Sequence, residues 1–339
     1  KKYLKYMDWK NLGFSYTKTN KNVRVFYRNG QWENLEETDS EEISMHMAAS
    51  SLHYGQACFE GIKAFHGQDG KIRIFRMDEN AKRLAASARR LLMPEVPFEL
   101  FTESVKKAVE LNKELVPPYE SGATLYIRPL LIGTGVRMDL HPADEYLFVV
   151  FTMPVGPYFK DGFKPVDVLV EREYDRAAPL GTGNVKAAGN YAASMLSIEK
   201  GHKKGYALIL YLDSCEKKYI DECGPANFFA IKGNSYITPD SKSILPSITN
   251  MSLQAIAREM GMKVEIRKIA LEELNEFDEV GACGTAAVIA PIKKIVDEEN
   301  NKTFAYCRDG NPGTISTKLY NKLRAIQYGK AEYKWCWNK

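Results

Sequence analysis

Lys71-Ile-Arg-Ile-Phe-Arg76 alternates polar and apolar side chains, the period of a strand with one buried face. Asp78 stands where a helix cap is expected, and Ala81, Leu84, Ala85, Ala88, Leu91 and Leu92 then recur at helical spacing until Met93-Pro94. A second amphipathic stretch predicts a helix over 102–115, stopped by Pro117-Pro118, and the apolar runs 123–132 and 146–152 predict buried strands. Met153-Pro-Val-Gly-Pro-Tyr-Phe-Lys-Asp-Gly162 holds two prolines and two glycines in ten residues, a composition that resists both helix and central strand. We place a domain boundary there, with an N-terminal domain over 1–154, a loop over 155–164 and a C-terminal domain over 165–339. Beyond it, 166–171, 206–213 and 227–231 predict strands, Gly233-Asn234 a hairpin turn, and 249–260 and 315–328 helices. Strands grouped with helices between them, without a strict βαβ rhythm, predict an α+β fold.

Composition narrows the function classes. The 339 residues, 45% hydrophobic, can bury a large core. Lys plus Arg number 47 against 43 for Asp plus Glu; an excess of +4, spread along the chain, argues for neither a nucleic-acid nor a membrane surface. The longest apolar run, 206–212, is about seven residues, far below the ~20 of a membrane span, and Lys1-Lys2-Tyr3 has no apolar signal core. Six cysteines without a C-x-x-C pair, and five histidines without an H-E-x-x-H, suggest no disulfide scaffold and no metal site, and reduced thiols in a cytoplasmic protein.

The segment Gly181-Thr-Gly-Asn-Val-Lys-Ala-Ala-Gly-Asn-Tyr191 is the most unusual. Its glycines let the backbone approach something flat or anionic. Lys186 lies at its centre: a buried lysine can lose its proton and attack a carbonyl, whereas an exposed one is only a loop cation. The segment resembles the lysine motif of branched-chain aminotransferases, of the fold-type IV pyridoxal-phosphate class. Further matches follow in order: Leu52-His-Tyr-Gly-Gln-Ala-Cys-Phe-Glu-Gly-Ile-Lys-Ala-Phe65, Tyr126-Ile-Arg-Pro129, Glu222-x-x-x-x-Asn-x-Phe229, Ile244-Leu-Pro-Ser-Ile-Thr249 and Gly284-Thr-Ala286.

The resemblance implies a two-domain fold in which each domain is a β-sheet or barrel-like sheet with packed helices, and a homodimer. It implies reversible, ping-pong transfer of the amino group of L-leucine, L-isoleucine or L-valine to 2-oxoglutarate through a Schiff base on Lys186. In this reading Lys186 holds pyridoxal 5'-phosphate, Tyr191 bonds its phenolic oxygen, and Glu222 its ring nitrogen. Arg83, the backbone of Ile248 and Thr249, and the Thr285 hydroxyl would take the phosphate. A helix N-terminus suits that anion. Tyr54, Phe59 and Tyr126 would wall the substrate pocket, Arg128 would meet the glutamate side chain, and the Thr285-Ala286 backbone the α-carboxylate. Read without the resemblance, Glu222 is a solvated charge beside Asp221, Arg83 a surface arginine, Thr249 a helix cap, and the aromatics ordinary core.

Four positions depart from the pattern of some or many family members. Ser247 stands where many members have glycine, and Pro225 where others have a hydrogen-bonding residue. Ala287 and Ala290 replace the redox cysteines of mammalian members, so no thiol switch is expected there. The rival readings are a D-amino-acid aminotransferase or aminodeoxychorismate lyase within the fold, and a non-catalytic binding protein outside it.

Overall fold

The computed structural model describes residues 7–338, so Lys1-Lys2-Tyr3 lies outside it. The chain forms two compact units: one takes residues up to Lys160, Val185–Gly189 and the chain from Ala325, the other Asp161–Asn184 and Asn190–Arg324. The short segment carrying Lys186, assigned by sequence to the C-terminal part, clusters with the first unit.

The alternating segment at 71–76 and the apolar runs after it join an antiparallel, nine-stranded sheet in the first unit. Its long members, Thr124–Gly133 and Tyr146–Val155, pair over ten positions. The expected proline break does not stop the second: Pro154 lies in the strand, opposite Leu125. Proline is tolerated because Asn22–Arg28, on the other side, pairs only as far as Val150. Two helices, Met77–Arg90 and Phe98–Leu111, cover the sheet, with Leu84, Ala88, Phe101 and Val105 in one cluster with Ile127 and Phe148.

Asp78 is not the cap of the first helix. Arg76 occupies that position with φ 48°, and Asp78 and Glu79 sit in the first turn, where they meet the positive end of the helix dipole. At the other end Leu92 turns left-handed (φ 52°), and the N–H groups of Met93 and Leu92 return to the carbonyls of Ala88 and Arg89. That is a Schellman closure, and it ends the helix just before Pro94. The second helix starts four residues earlier than expected. Pro97 caps it, while Thr102 turns its hydroxyl onto the Glu99 carbonyl.

In the second unit Val166–Glu171, Leu208–Leu212, Ile220–Cys223, Ala226–Lys232, Glu279–Gly284 and Val288–Asp297 pair in a closed ring, a small barrel. Ser235–Pro239 and Lys263–Arg267 extend it as a flap, the first through the expected Gly233-Asn234 turn. Helix Ile248–Glu259 packs on Lys263–Arg267 and Glu279–Gly284. The mixed α+β class, with one barrel-like sheet, agrees with the sequence. No helix among the described residues is long and apolar enough to cross a membrane, and no cluster of His, Cys, Asp or Glu among them could hold a metal ion.

Candidate active site

Within the first unit, Lys186 is strapped at its backbone. Its N–H donates to Ser87 Oγ at 2.9 Å, its carbonyl accepts from the Phe59 N–H at 3.2 Å, and Ala187 bridges to Cys58. Its Nζ lies 4.9 Å from the centroid of the Phe59 ring. Burial pushes the Cys58 thiol up to about 12, so the neighbouring cysteine offers no competing thiolate at neutral pH.

Arg83 lies one turn before Ser87 on the same helix. Its Nε and Nη2 donate to the two carboxylate oxygens of Glu60 at 2.8 and 2.6 Å, a fork that fixes the guanidinium plane. Glu60 is fully buried and also accepts from Asn80 Nδ2 at 2.7 Å. Arg83 is therefore a half-buried, oriented cation rather than one more surface arginine.

Phe59, Tyr126 and Arg128 come together. The Arg128 guanidinium lies 4.5 Å from the Phe59 centroid and donates to the Tyr126 hydroxyl at 3.1 Å, while its buried Nε has no partner among the described residues. Such an orphaned cationic donor fits an anionic ligand group. Tyr54 is engaged elsewhere: it is 40% exposed and its hydroxyl donates to the Met138 carbonyl at 2.6 Å.

Within the second unit, Glu222 is only 3% exposed, not the solvated charge that its neighbourhood in sequence suggests. Its Oε1 accepts from Arg176 Nη2 at 3.0 Å and from the Leu245 N–H. Asp221, on the opposite face of the strand, is buried too; burial pushes its carboxyl up, against a bond from Ser243 Oγ. Ser247 caps helix Ile248–Glu259 by accepting from the Asn250 N–H at 3.1 Å, so serine there gains a bond that glycine could not make. Ile248 and Thr249 open that helix, both buried, with its amino-terminal N–H groups and dipole available to an anion.

Thr285 and Ala286 lie in the three-residue turn between Glu279–Gly284 and Val288–Asp297. Val288 closes that turn at φ 63°, an uncommon conformation for a β-branched residue. Pro225 fills the second place of a two-residue hairpin between Cys223 and Ala226, after Gly224 at φ 62°. Proline's negative φ selects the type II′ turn, so the departure is a good fit locally. Tyr191 is half-buried in the first turn of helix Ala188–Lys203.

Sequence reasoning missed Ser87, Glu60 and Arg176. Glu60 stood inside the matched Phe-Glu-Gly segment and could have been suspected as its only charge before Lys63. Ser87 looked like a small residue on a helix, and Arg176 carried no signal at all.

The family model "Amino-transferase class IV" matches residues 57–295. A branched-chain-amino-acid aminotransferase of Helicobacter pylori is 47% identical over 332 residues, covering 97% of this chain and 96% of that one. The crystal structure of the Escherichia coli branched-chain amino acid aminotransferase superposes with a TM-score of 0.78 at 27% identity, covering 94% of this chain and 99% of its own. That of Thermoproteus uzoniensis, solved with norvaline, gives 0.78 at 25%, covering 93% and 99%. The chain thus belongs to the class IV aminotransferases, in the group of the branched-chain-amino-acid aminotransferases.

Proposed function

We propose that the protein moves the amino group of L-leucine, L-isoleucine or L-valine to 2-oxoglutarate, giving branched 2-oxo acids and L-glutamate, with pyridoxal phosphate held on Lys186. The observation that carries this reading is the Phe59 ring, flanked at 4.9 Å by Lys186 Nζ and at 4.5 Å by the Arg128 guanidinium. An apolar surface beside the amine suits an aliphatic side chain, and the adjacent cation suits the side-chain carboxylate of glutamate, so one pocket serves both half-reactions. The Thermoproteus relative was solved with norvaline, which is likewise an aliphatic amino acid, though an unbranched one.

The residues fit the cofactor by type: a buried carboxylate for a ring nitrogen, a capped helix N-terminus and an oriented arginine for a phosphate. Pyridoxal phosphate supplies an aldehyde that captures amino groups covalently and a protonated ring that accepts the electrons left when Cα loses its proton. Lys186 would hold the cofactor through Nζ and, at the same atom, would serve as the general base for the substrate's Cα proton and then as the general acid that gives it back. Glu222 keeps the ring nitrogen protonated, and Tyr191 binds the phenolic oxygen. Arg83, the N–H groups of Ile248 and Thr249, and the Thr285 hydroxyl anchor the phosphate. The Thr285-Ala286 N–H groups bind the α-carboxylate. Because donor and acceptor occupy the pocket in turn, the kinetics are ping-pong.

Single-turnover half-reactions test the reading. L-leucine, L-isoleucine and L-valine should convert at least about 100-fold faster than D-alanine, a gap of roughly 2.7 kcal/mol in the barrier. A faster rate with D-alanine, or with aminodeoxychorismate, overturns the substrate assignment. Borohydride reduction should leave the cofactor on the peptide containing Lys186.

A further inference from the structure

We propose that Arg176 is the positioning residue that keeps Glu222 ionised and so governs the protonation of whatever ring nitrogen Glu222 holds. The inference rests on the reading above, in which Glu222 pairs with that nitrogen.

Arg176 lies in the irregular segment after Val166–Glu171, and its side chain is 9% exposed. One nitrogen, Nη2, donates to three acceptors: Glu222 Oε1 at 3.0 Å, the Gly183 carbonyl at 2.7 Å and the Ser243 carbonyl at 2.7 Å. Gly183 belongs to the segment that leads into Lys186, and Ser243 to the one that leads into the Ser247 turn. The two approach so closely that a Cβ on Gly183 would strike the Ser243 carbonyl and the Ala177 side chain. The Leu245 N–H, two residues on from Ser243, donates to the same Glu222 oxygen. A single guanidinium thus ties together the ring-nitrogen carboxylate and the two segments that lead to the lysine and to the phosphate turn.

Burial alone drives a carboxylate towards its neutral form, and a neutral Glu222 could only donate a proton to an unprotonated ring nitrogen. Arginine resists that outcome because it stays charged at any working pH, even when buried. A lysine would keep the charge, but its flexible stem would hold that one nitrogen less firmly against the three acceptors than the rigid guanidinium does. A role confined to holding the loops would alter the affinity for any cofactor analogue equally. Control of the carboxylate's charge would act only where the ring carries a nitrogen.

The experiment compares apoprotein affinity for pyridoxal phosphate and for its analogue with carbon in place of the ring nitrogen, by absorption titration. The wild type should prefer the nitrogen ring by about tenfold or more, the scale of one hydrogen bond to a charged group. Arg176→Gln should bring the two affinities within about threefold of each other, whereas Arg176→Lys should keep most of the preference while binding both more weakly. An Arg176→Gln protein that keeps the wild-type preference overturns the proposal. If Arg176→Gln does not fold, a loss of preference in Arg176→Lys overturns it as well. Glu222→Gln is the control for the underlying reading: if that variant still prefers the nitrogen ring, Glu222 is not its partner, and the failure lies there rather than at Arg176.

Discussion

A methyl group at Gly61 would run into the Tyr126 hydroxyl, so this glycine is fixed by what passes over it and not by its backbone angles. The same hydroxyl accepts from Arg128 at 3.1 Å, and Arg128 in turn lies over Phe59. Gly61→Ala should therefore displace Tyr126 and Arg128 together. We expect KM for 2-oxoglutarate to rise by about tenfold or more, with a smaller rise for L-leucine, since the change falls on the cation and a misplaced contact costs roughly 1–3 kcal/mol. Steady-state kinetics with both substrates check this, and equal rises for the two would place the damage at the lysine instead. Residues of this kind were legible only through the motif that contains them. Glu60 and Gly61 sit inside a recognisable segment, but Arg176 finds its acceptors 7, 46 and 67 residues away, and no local pattern encodes such distances.

At the scale of elements, period and apolarity were readable wherever the buried face is made of large side chains. Strand Val166–Glu171 has the bounds its pattern predicts, and helix Thr314–Gln327 differs from the expected 315–328 by one residue at each end. Helix Ala188–Lys203 escaped because its buried positions are Asn190, Ser194, Ser197 and Gly201, small and polar at helical spacing. Gly201 leaves room for Ile209 on the neighbouring strand, whose terminal methyl would have to turn aside from a Cβ there. The parallel strands Val166–Glu171 and Val288–Asp297 are also joined by a buried ion pair invisible to pattern. Arg172 Nη2 donates to Asp297 Oδ2 at 2.7 Å, and Asp297 is fully buried. Burial pushes that carboxyl up, but bonds from Arg172 and Asn300 together hold it below the usual carboxylate range. A lowered native pKa stabilises the fold above the unfolded value near 4 and loses that contribution as pH falls through the native value. Asp297→Ala should thus cost about 3–5 kcal/mol at pH 7, by stranding the Arg172 charge. In urea unfolding, the gap to wild type should shrink below about pH 4; a gap independent of pH would mean that packing, not charge, is what the substitution removes.

For the whole molecule, the observation to weigh is an apolar surface in the first unit. Met47, Leu52, Tyr54, Val136, Met138 and Leu140 are exposed, Met47 at 82% and Leu140 at 84%. They lie on adjoining segments, since Ala49 bridges to Val136, the Arg137 N–H donates to the Ala48 carbonyl, and the Tyr54 hydroxyl donates to the Met138 carbonyl. Scattered exposed apolar residues need no explanation, but a contiguous group of this size costs solubility unless something covers it. A net charge of only +4 opposes self-association weakly. The homodimer that the family resemblance implies would bury such a surface against its own copy, as an isologous interface does. We therefore expect the protein to sediment as a dimer at micromolar concentration. Met138→Asp with Leu140→Asp should shift it to monomer while leaving its circular dichroism unchanged, because the Tyr54 bond is to a backbone carbonyl and survives both substitutions. Each aspartate would put an uncompensated charge into a dry contact, and one such burial outweighs the gain from several apolar side chains. A wild-type monomer would remove the dimer from the account, and a doubly substituted dimer would move its interface to another face.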